Sequence, residues 1–316
     1  MKLNKIIFMG TPNFAVPTLQ KLNQTNYKPK LVITQPDRPK GRKRKLQPPP
    51  VKIAAEKLQI PCLQPQDVND PEILKQIAQF EPEIIVTAAY GGFLKKKIRK
   101  IAKFGCINLH PSLLPKYRGA APINFTLFNG DKATGNTIFK IVAKMDAGPI
   151  LFQSKYKILP EDNYTVLQEK LAAKGADDVL KTLQLIEKDE IELTPQADSE
   201  ATYTQKITKE DLQLDWNKPA VQIHNKVRGL AEKPGVKTKF RGKPIKIIET
   251  FVTDADSNKK PGTVVQVIKK QGIEVTTADK NIILKRVQPA GKKIMSAFAY
   301  SLGLQPKPGE KFGHGA

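Results

Sequence analysis

Apolar residues in the first 187 positions come in short bursts of strand length, separated by stretches with helical spacing. IIFMG (6–10), KLVITQ (30–35), EIIVTAAY (83–90), CINLH (106–110) and TIFKIVA (137–143) read as strands rich in Ile and Val. Between them VKIAAEKLQ (51–59) and DPEILKQIAQF (70–80) read as helices, the second with Asp70 as N-cap and Pro71 at the first helical position. Alternation of strand and helix predicts an α/β fold: a doubly wound, mainly parallel sheet of Rossmann-like type, covered on both faces. A long helical run at 163–188 closes this half, and the polar, proline-containing stretch after it, DEIELTPQADSEAT, reads as a linker.

Beyond 205 the pattern shortens. KPIKIIETFV, PGTVVQVIKK, QGIEVTTAD and NIILKRVQPAG are strands separated by Gly, Asp and Lys turns, preceded by one helix, KPAVQIHNKVRGL. A small OB-like β-barrel is expected. The predicted organisation is a catalytic domain over 1–188, a linker over 189–205 and a barrel domain over 206–316, with QPKPGEKFGHGA as a mobile tail.

One strand carries polar groups where a core strand would not. In CINLH, residues i and i+2 share a face, so Asn108 and His110 point to one side while Ile107 and Leu109 pack into the other. The strand stops at Pro111, and open α/β sheets place ligand sites at strand carboxyl ends. Asp146, in MDAG after an alternating segment, reads as a turn residue at the end of a second strand. On a neighbouring strand its carboxylate would reach the imidazole, fix its tautomer and raise its pKa. The amide and the imidazole would then donate to an oxygen that gains charge. No Ser, Cys or Thr is required as nucleophile and no metal-ligand cluster is apparent. Acyl-type transfer to a nucleophile brought by the substrate fits this set.

Composition narrows the classes further. The 316 residues are 40% hydrophobic, enough for two globular domains. The two cysteines, Cys62 and Cys106, give no disulfide framework, no apolar run approaches a membrane span, and IIFM is too short for a signal-peptide core, so a cytoplasmic location is expected. GTPNFA after the first strand has one glycine where a dinucleotide fingerprint needs three. The net charge of +23 fits polyanionic partners, and equally a lysine-rich sequence bias. Clustering is more telling: PDRPKGRKRKLQPPP (36–50) holds Arg38, Lys40, Arg42, Lys43, Arg44 and Lys45 against Asp37. Its five prolines and one glycine predict an exposed basic loop without regular structure.

After CINLH come PSLLPKYRGAAPI and, downstream, DAGPIL. Together with IIFMGTPNFAVPTL (6–19), TQPDRPKGRKRKLQPPPVK (34–52), AAYGGFL (88–94) and QPAGKKIMSAFAY (288–300), these strings resemble the folate-dependent formyltransferases over essentially the whole chain. Among them the similarity is greatest to the members that formylate methionyl-initiator tRNA. The resemblance implies formyl transfer from 10-formyltetrahydrofolate to the methionyl α-amino group, with no metal and a monomer as the working form. It implies that Asn108, His110 and Asp146 carry catalysis, and that Tyr90, Gly91, Ser112, Leu113, Leu114 and Pro115 line the folate site. It also implies that Arg38, Arg42, Lys43, Arg44, Lys45 and Lys206 contact tRNA. A formyltransferase acting on a small amine remains the alternative. The segment AEKPGVKTKF (231–240) departs from the family pattern in lacking its tryptophan.

Overall fold

The computed structural model describes residues 2–41 and 45–313. They form two compact units: one from residues up to Ala120, Ala133–Lys157 and Gln168–Thr204, the other from Ala121–Lys132, Ile158–Leu167 and the residues from Gln205 onward.

The first unit is built on strands β1 (Ile6–Gly10), β2 (Leu31–Ile33), β5 (Cys62–Leu63), β6 (Ile84–Ala88), β7 (Cys106–His110), β9 (Ala133–Lys140) and β10 (Ile150–Lys157), with β3 (Arg38–Lys40), β4 (Lys45–Gln47), β8 (Arg118–Gly119) and β11 (Tyr203–Thr204) outside the main sheet. The sheet order is β10-β9-β7-β6-β1-β2-β5. The five strands from β7 to β5 run parallel, while β9 and β10 add an antiparallel edge. Every residue of β1 and β6 is buried, as expected of strands covered on both faces. On one face Ile7, Met9, Ile33, Ile85 and Cys106 pack with Leu74, Ile77 and Ile98 from the helices Pro71–Ala78 and Lys96–Ile101. Asp70 caps the first of these, its side chain accepting from Glu72 N at 2.8 Å. The chain reverses its direction of travel across the sheet between β1 and β6, which opens a crevice at their carboxyl ends. Thr11 Oγ1 donates to Tyr90 O at 2.7 Å and ties the two loops there.

Three local expectations are corrected. The basic segment has regular structure, because β3 and β4 pair antiparallel as Arg38 with Gln47, Pro39 with Leu46 and Lys40 with Lys45. Its prolines lie at an edge or outside the ladder, where a missing N–H costs nothing. The segment expected as a linker is held on the first unit up to Thr204: Thr194 bridges Ile150, and β11 pairs parallel with β8. Finally, the tail is ordered at Lys311–Phe312.

That tail completes the second unit. Strands β12 (Val236–Phe240), β13 (Lys243–Asp256), β14 (Val264–Ile268), β15 (Gly272–Thr276) and β16 (Lys280–Pro289) form an antiparallel sheet of order β12-β13-β16-β15-β14, with β17 (Met295–Ser296) on β16. Phe312 bridges Phe240 of β12, and Lys311 bridges Thr263 just before β14. The last described residues thus stand between the two outer strands and close the sheet into a barrel. Phe312, Phe240, Trp216 and Val264 share its core with Ile223, Val227 and Leu230 of the helix Ala220–Leu230. The helix Pro122–Phe128, inserted in sequence between β8 and β9, belongs to this unit, and Asn124 Nδ2 donates to Gly229 O at 2.7 Å.

Candidate active site

β7 presents its polar face at the edge of the crevice. His110, its last residue, is 4% exposed. The ring lies edge-on to Phe139, and Nε2 is 2.9 Å from Tyr117 O. A carbonyl only accepts, so Nε2 bears the proton of the neutral ring and Nδ1 carries the lone pair. Nδ1 faces Asp146 Oδ2 at 3.9 Å, which is charge contact without a hydrogen bond. The expected rise in the His110 pKa is corrected: burial holds it below the ordinary imidazole value, and the Asp146 charge and Tyr117 carbonyl, which pull it up, do not outweigh that.

Asn108 is oriented from the neighbouring strand. Thr87 Oγ1 donates to Asn108 Oδ1 at 2.6 Å, which commits the carbonyl end of the amide and leaves Nδ2 as the end that can donate. On the opposite face of β7, Leu109 lies against Gly175 of the helix Tyr164–Glu187, where a Cβ would come within 2.7 Å of it.

Asp146 sits in a tight turn with φ at 49°. Its Oδ2 accepts from Gly119 N at 2.7 Å. Gly119 has φ at +103°, and a Cβ there would stand 2.4 Å from Thr204 O, so β8 can approach β11 only as glycine. Gly148, closing the turn after Asp146, has the same requirement, since its Cβ would meet Lys140 O at 1.6 Å.

Ser112 to Pro115 follow β7 directly. Ser112 Oγ donates to Lys116 O at 2.8 Å, and the Leu114–Pro115 peptide is cis. Two residues of the antiparallel edge fix the loop: Thr137 Oγ1 donates to Ser112 O and accepts from Leu114 N, while Gln153 Nε2 donates to Leu114 O at 3.0 Å. Leu114 is buried and Leu113 is partly exposed. Tyr90 and Gly91 follow β6. The Tyr90 ring is buried, which pushes its phenol up to about 12. The loops after β6 and β7 therefore lie at neighbouring parallel strand ends, the first tied to Thr11 and the second fixed by Thr137 and Gln153.

The sequence-predicted residues divide in three. Asn108, His110, Asp146, Tyr90, Gly91 and Ser112–Pro115 converge at the carboxyl ends of β6 and β7. Arg38 and Lys45 are exposed on the β3–β4 hairpin, and Lys206 is exposed in the second unit. Arg42, Lys43 and Arg44 lie outside the described residues. Sequence reading missed Thr87, Thr137 and Gln153, which orient the site, and the fully buried Arg118. Arg118 alone had a signal, an arginine inside the signature YRG; single Thr and Gln residues in strands give none.

The chain matches the formyl transferase family over residues 4–183 and the C-terminal domain of formyl transferases over residues 206–305. It belongs to that family and is an enzyme that transfers formyl groups. A methionyl-tRNA formyltransferase of Halalkalibacterium halodurans is 44% identical over 312 residues, which is 98% of this chain and 98% of that protein. One from Syntrophus aciditrophicus is 41% identical over 308 residues, again 98% of each. The fold is also that of WlaRD, a sugar 3N-formyl transferase crystallised in the presence of dTDP and 5-N-formyl-THF, with TM-score 0.67 and 18% identity over 93% of this chain and 100% of that one. No helix among the described residues is long and apolar enough to cross a membrane.

Proposed function

We propose that this chain transfers the formyl group of 10-formyltetrahydrofolate to the α-amino group of methionyl-initiator tRNA, in the cytoplasm and as a monomer. The observation that carries the chemistry is the convergence of Asn108, His110 and Asp146 beside a crevice at parallel strand ends. The acceptor is read from the full-length likeness to methionyl-tRNA formyltransferases and from the exposed cations on the β3–β4 hairpin.

The methionyl amine has a reference pKa near 8, so it arrives partly as ammonium at pH 7. His110, held neutral by burial, takes that proton at Nδ1, the ring nitrogen that faces Asp146. The imidazolium so formed is stabilised by the Asp146 carboxylate and by the Tyr117 carbonyl on Nε2. The freed amine attacks the formyl carbon. As negative charge moves onto the formyl oxygen, Asn108 Nδ2 donates to it, in the orientation that Thr87 imposes. The adduct collapses as its carbon–nitrogen bond to folate breaks: His110 Nδ1 returns its proton to the departing folate nitrogen, the former amine nitrogen sheds its surplus proton to solvent, and the ring is neutral again. Asp146 needs no proton of its own in this cycle.

Folate is assigned to the crevice between Tyr90–Gly91 and Ser112–Pro115, whose backbone is fixed before any ligand binds. Fixing two large substrates in one geometry supplies much of the acceleration. Labelled formyl transfer to methionyl-tRNA, measured beside transfer to an amino sugar nucleotide and to a ribonucleotide amine, tests the reading. Transfer confined to methionyl-tRNA supports it, and transfer to either small amine alone overturns the acceptor.

A further inference from the structure

The segment that sequence reading treats as a linker carries a residue that grips the Asp146 turn. Gln196 Nε2 donates to Asp146 O at 2.9 Å and to Gly148 O at 2.7 Å. Its Oε1 accepts from Arg118 Nε at 3.0 Å. Carbonyls only accept and guanidinium only donates, so this amide has a single orientation. Arg118 is itself fixed: fully buried, it donates from Nη1 to Asp198 Oδ1 at 2.7 Å and to Tyr203 Oη at 3.2 Å. The other Asp198 oxygen accepts from Lys144 Nζ at 2.6 Å, two residues ahead of Asp146. The turn is therefore held at Lys144, at Asp146 and at Gly148 by one short stretch of chain. The next residue after Arg118 is Gly119, whose N–H reaches the Asp146 carboxylate. β8 thus fixes the carboxylate directly and the backbone beneath it through Gln196.

We propose that Gln196 is a positioning residue for formyl transfer. It holds the carbonyls of Asp146 and Gly148, sets the left-handed turn between them, and so fixes the distance from the Asp146 carboxylate to His110. It touches no reacting atom and acts only through Asp146. This rests on the role given to Asp146 above.

The test uses the full chain with Gln196→Ala and Gln196→Glu. A glutamate keeps an oxygen for Arg118 but offers no N–H to the two carbonyls. Turnover in labelled formyl transfer should fall about 10- to 100-fold in both, the scale expected when a reacting group is misplaced by about 1 Å. KM for each substrate should stay within about threefold, because binding interactions are untouched. The decisive measurement is the same substitution in an Asp146→Asn background, where Gln196→Ala should cost less than about threefold more, since residues acting through one group are not additive. Near-normal turnover of both variants beside a slow Asp146→Asn enzyme would overturn this inference alone. A full multiplicative loss in the Asp146→Asn background, or failure of both variants to fold, would make Gln196 a structural staple and overturn it too. Normal turnover of Asp146→Asn itself would remove the role of Asp146, and this inference with it.

Discussion

Gly119 N donates to Asp146 Oδ2, the same oxygen that faces His110 Nδ1 at 3.9 Å. The carboxylate is thus anchored by a backbone N–H on the side from which it acts on the ring. Its charge is set close enough to stabilise an imidazolium and too far to take the proton away. A buried ring that is neutral at rest and tolerates charge during turnover fits a shuttle better than a fixed cation. Only the donor is backbone, so the anchor holds as long as the side chain at 146 keeps an oxygen to accept it.

Replacing His110 or Asn108 by Ala should lower kcat by about 100-fold or more, the usual cost of losing a proton carrier or an oxyanion donor. Both groups act mainly in the transition state, so the dissociation constant of each substrate should change much less. Single-turnover transfer of labelled formyl together with equilibrium binding checks this. A His110→Ala enzyme with near-normal turnover would end the mechanism.

Asp146→Asn removes the charge that raises the His110 pKa while burial, which lowers it, remains. The ring should therefore titrate at still lower pH. Transfer needs the unprotonated ring at the start, so the acidic limb of kcat/KM against pH should move to lower pH while the plateau drops. A limb that stays in place, or moves to higher pH, contradicts the assignment.

Lys40 and Lys45 stand opposite each other across the β3–β4 pair, and like charges in that position repel. A polyanion would relieve the repulsion. Substituting Arg42, Lys43, Arg44 and Lys45 by Ala should weaken methionyl-tRNA binding. The slope of log affinity against log salt should shrink by about 0.7 to 0.9 for each phosphate that is no longer neutralised. Folate affinity should be unchanged. An unaltered tRNA affinity and slope would reduce the hairpin to a solvated charge run and revive the small-amine acceptor.

Phe312 is 3% exposed, with ring centroids 4.4 Å from Phe240 and 5.7 Å from Trp216. Phe312→Ala should destabilise the second unit by about 3–5 kcal/mol, the range for a phenylalanine removed from a packed core. Denaturant unfolding followed by Trp216 fluorescence measures it. A loss under about 1 kcal/mol would mean the segment only rests on the barrel.

Strands with strong apolar runs are legible in the sequence, and CINLH is placed to the residue. Its alternation alone puts Asn108 and His110 on one face. The edge strand β10 (ILFQSKYK) is not legible, because none of its residues is fully buried and its apolar run is short. Nor can composition reveal that 121–132 pack with the second unit, since Phe128 finds its core neighbours a hundred residues later. The same limit hides Gln196. A lone glutamine in a polar, proline-broken stretch has no period, and its meaning lies in two carbonyls some fifty positions away. The sign of the His110 shift fails for a related reason: a sequence shows the charge partner but not the depth of burial that outweighs it.

The bridges from Lys311 and Phe312 to Thr263 and Phe240 also order events during synthesis. A ribosome delivers β12 to β16 before the residues that join the two outer strands exist. For that interval the nascent sheet has two open edges, each a row of unpaired N–H and C=O groups able to pair with another chain. β7, with Asn108 and His110, lies two hundred residues earlier, and the bridges of the late segment run to Thr263 and Phe240. Translation therefore supplies the sheet of the first unit first and lets the barrel close last, so a chain stopped short of Lys311 would keep two open strand edges and be prone to aggregate.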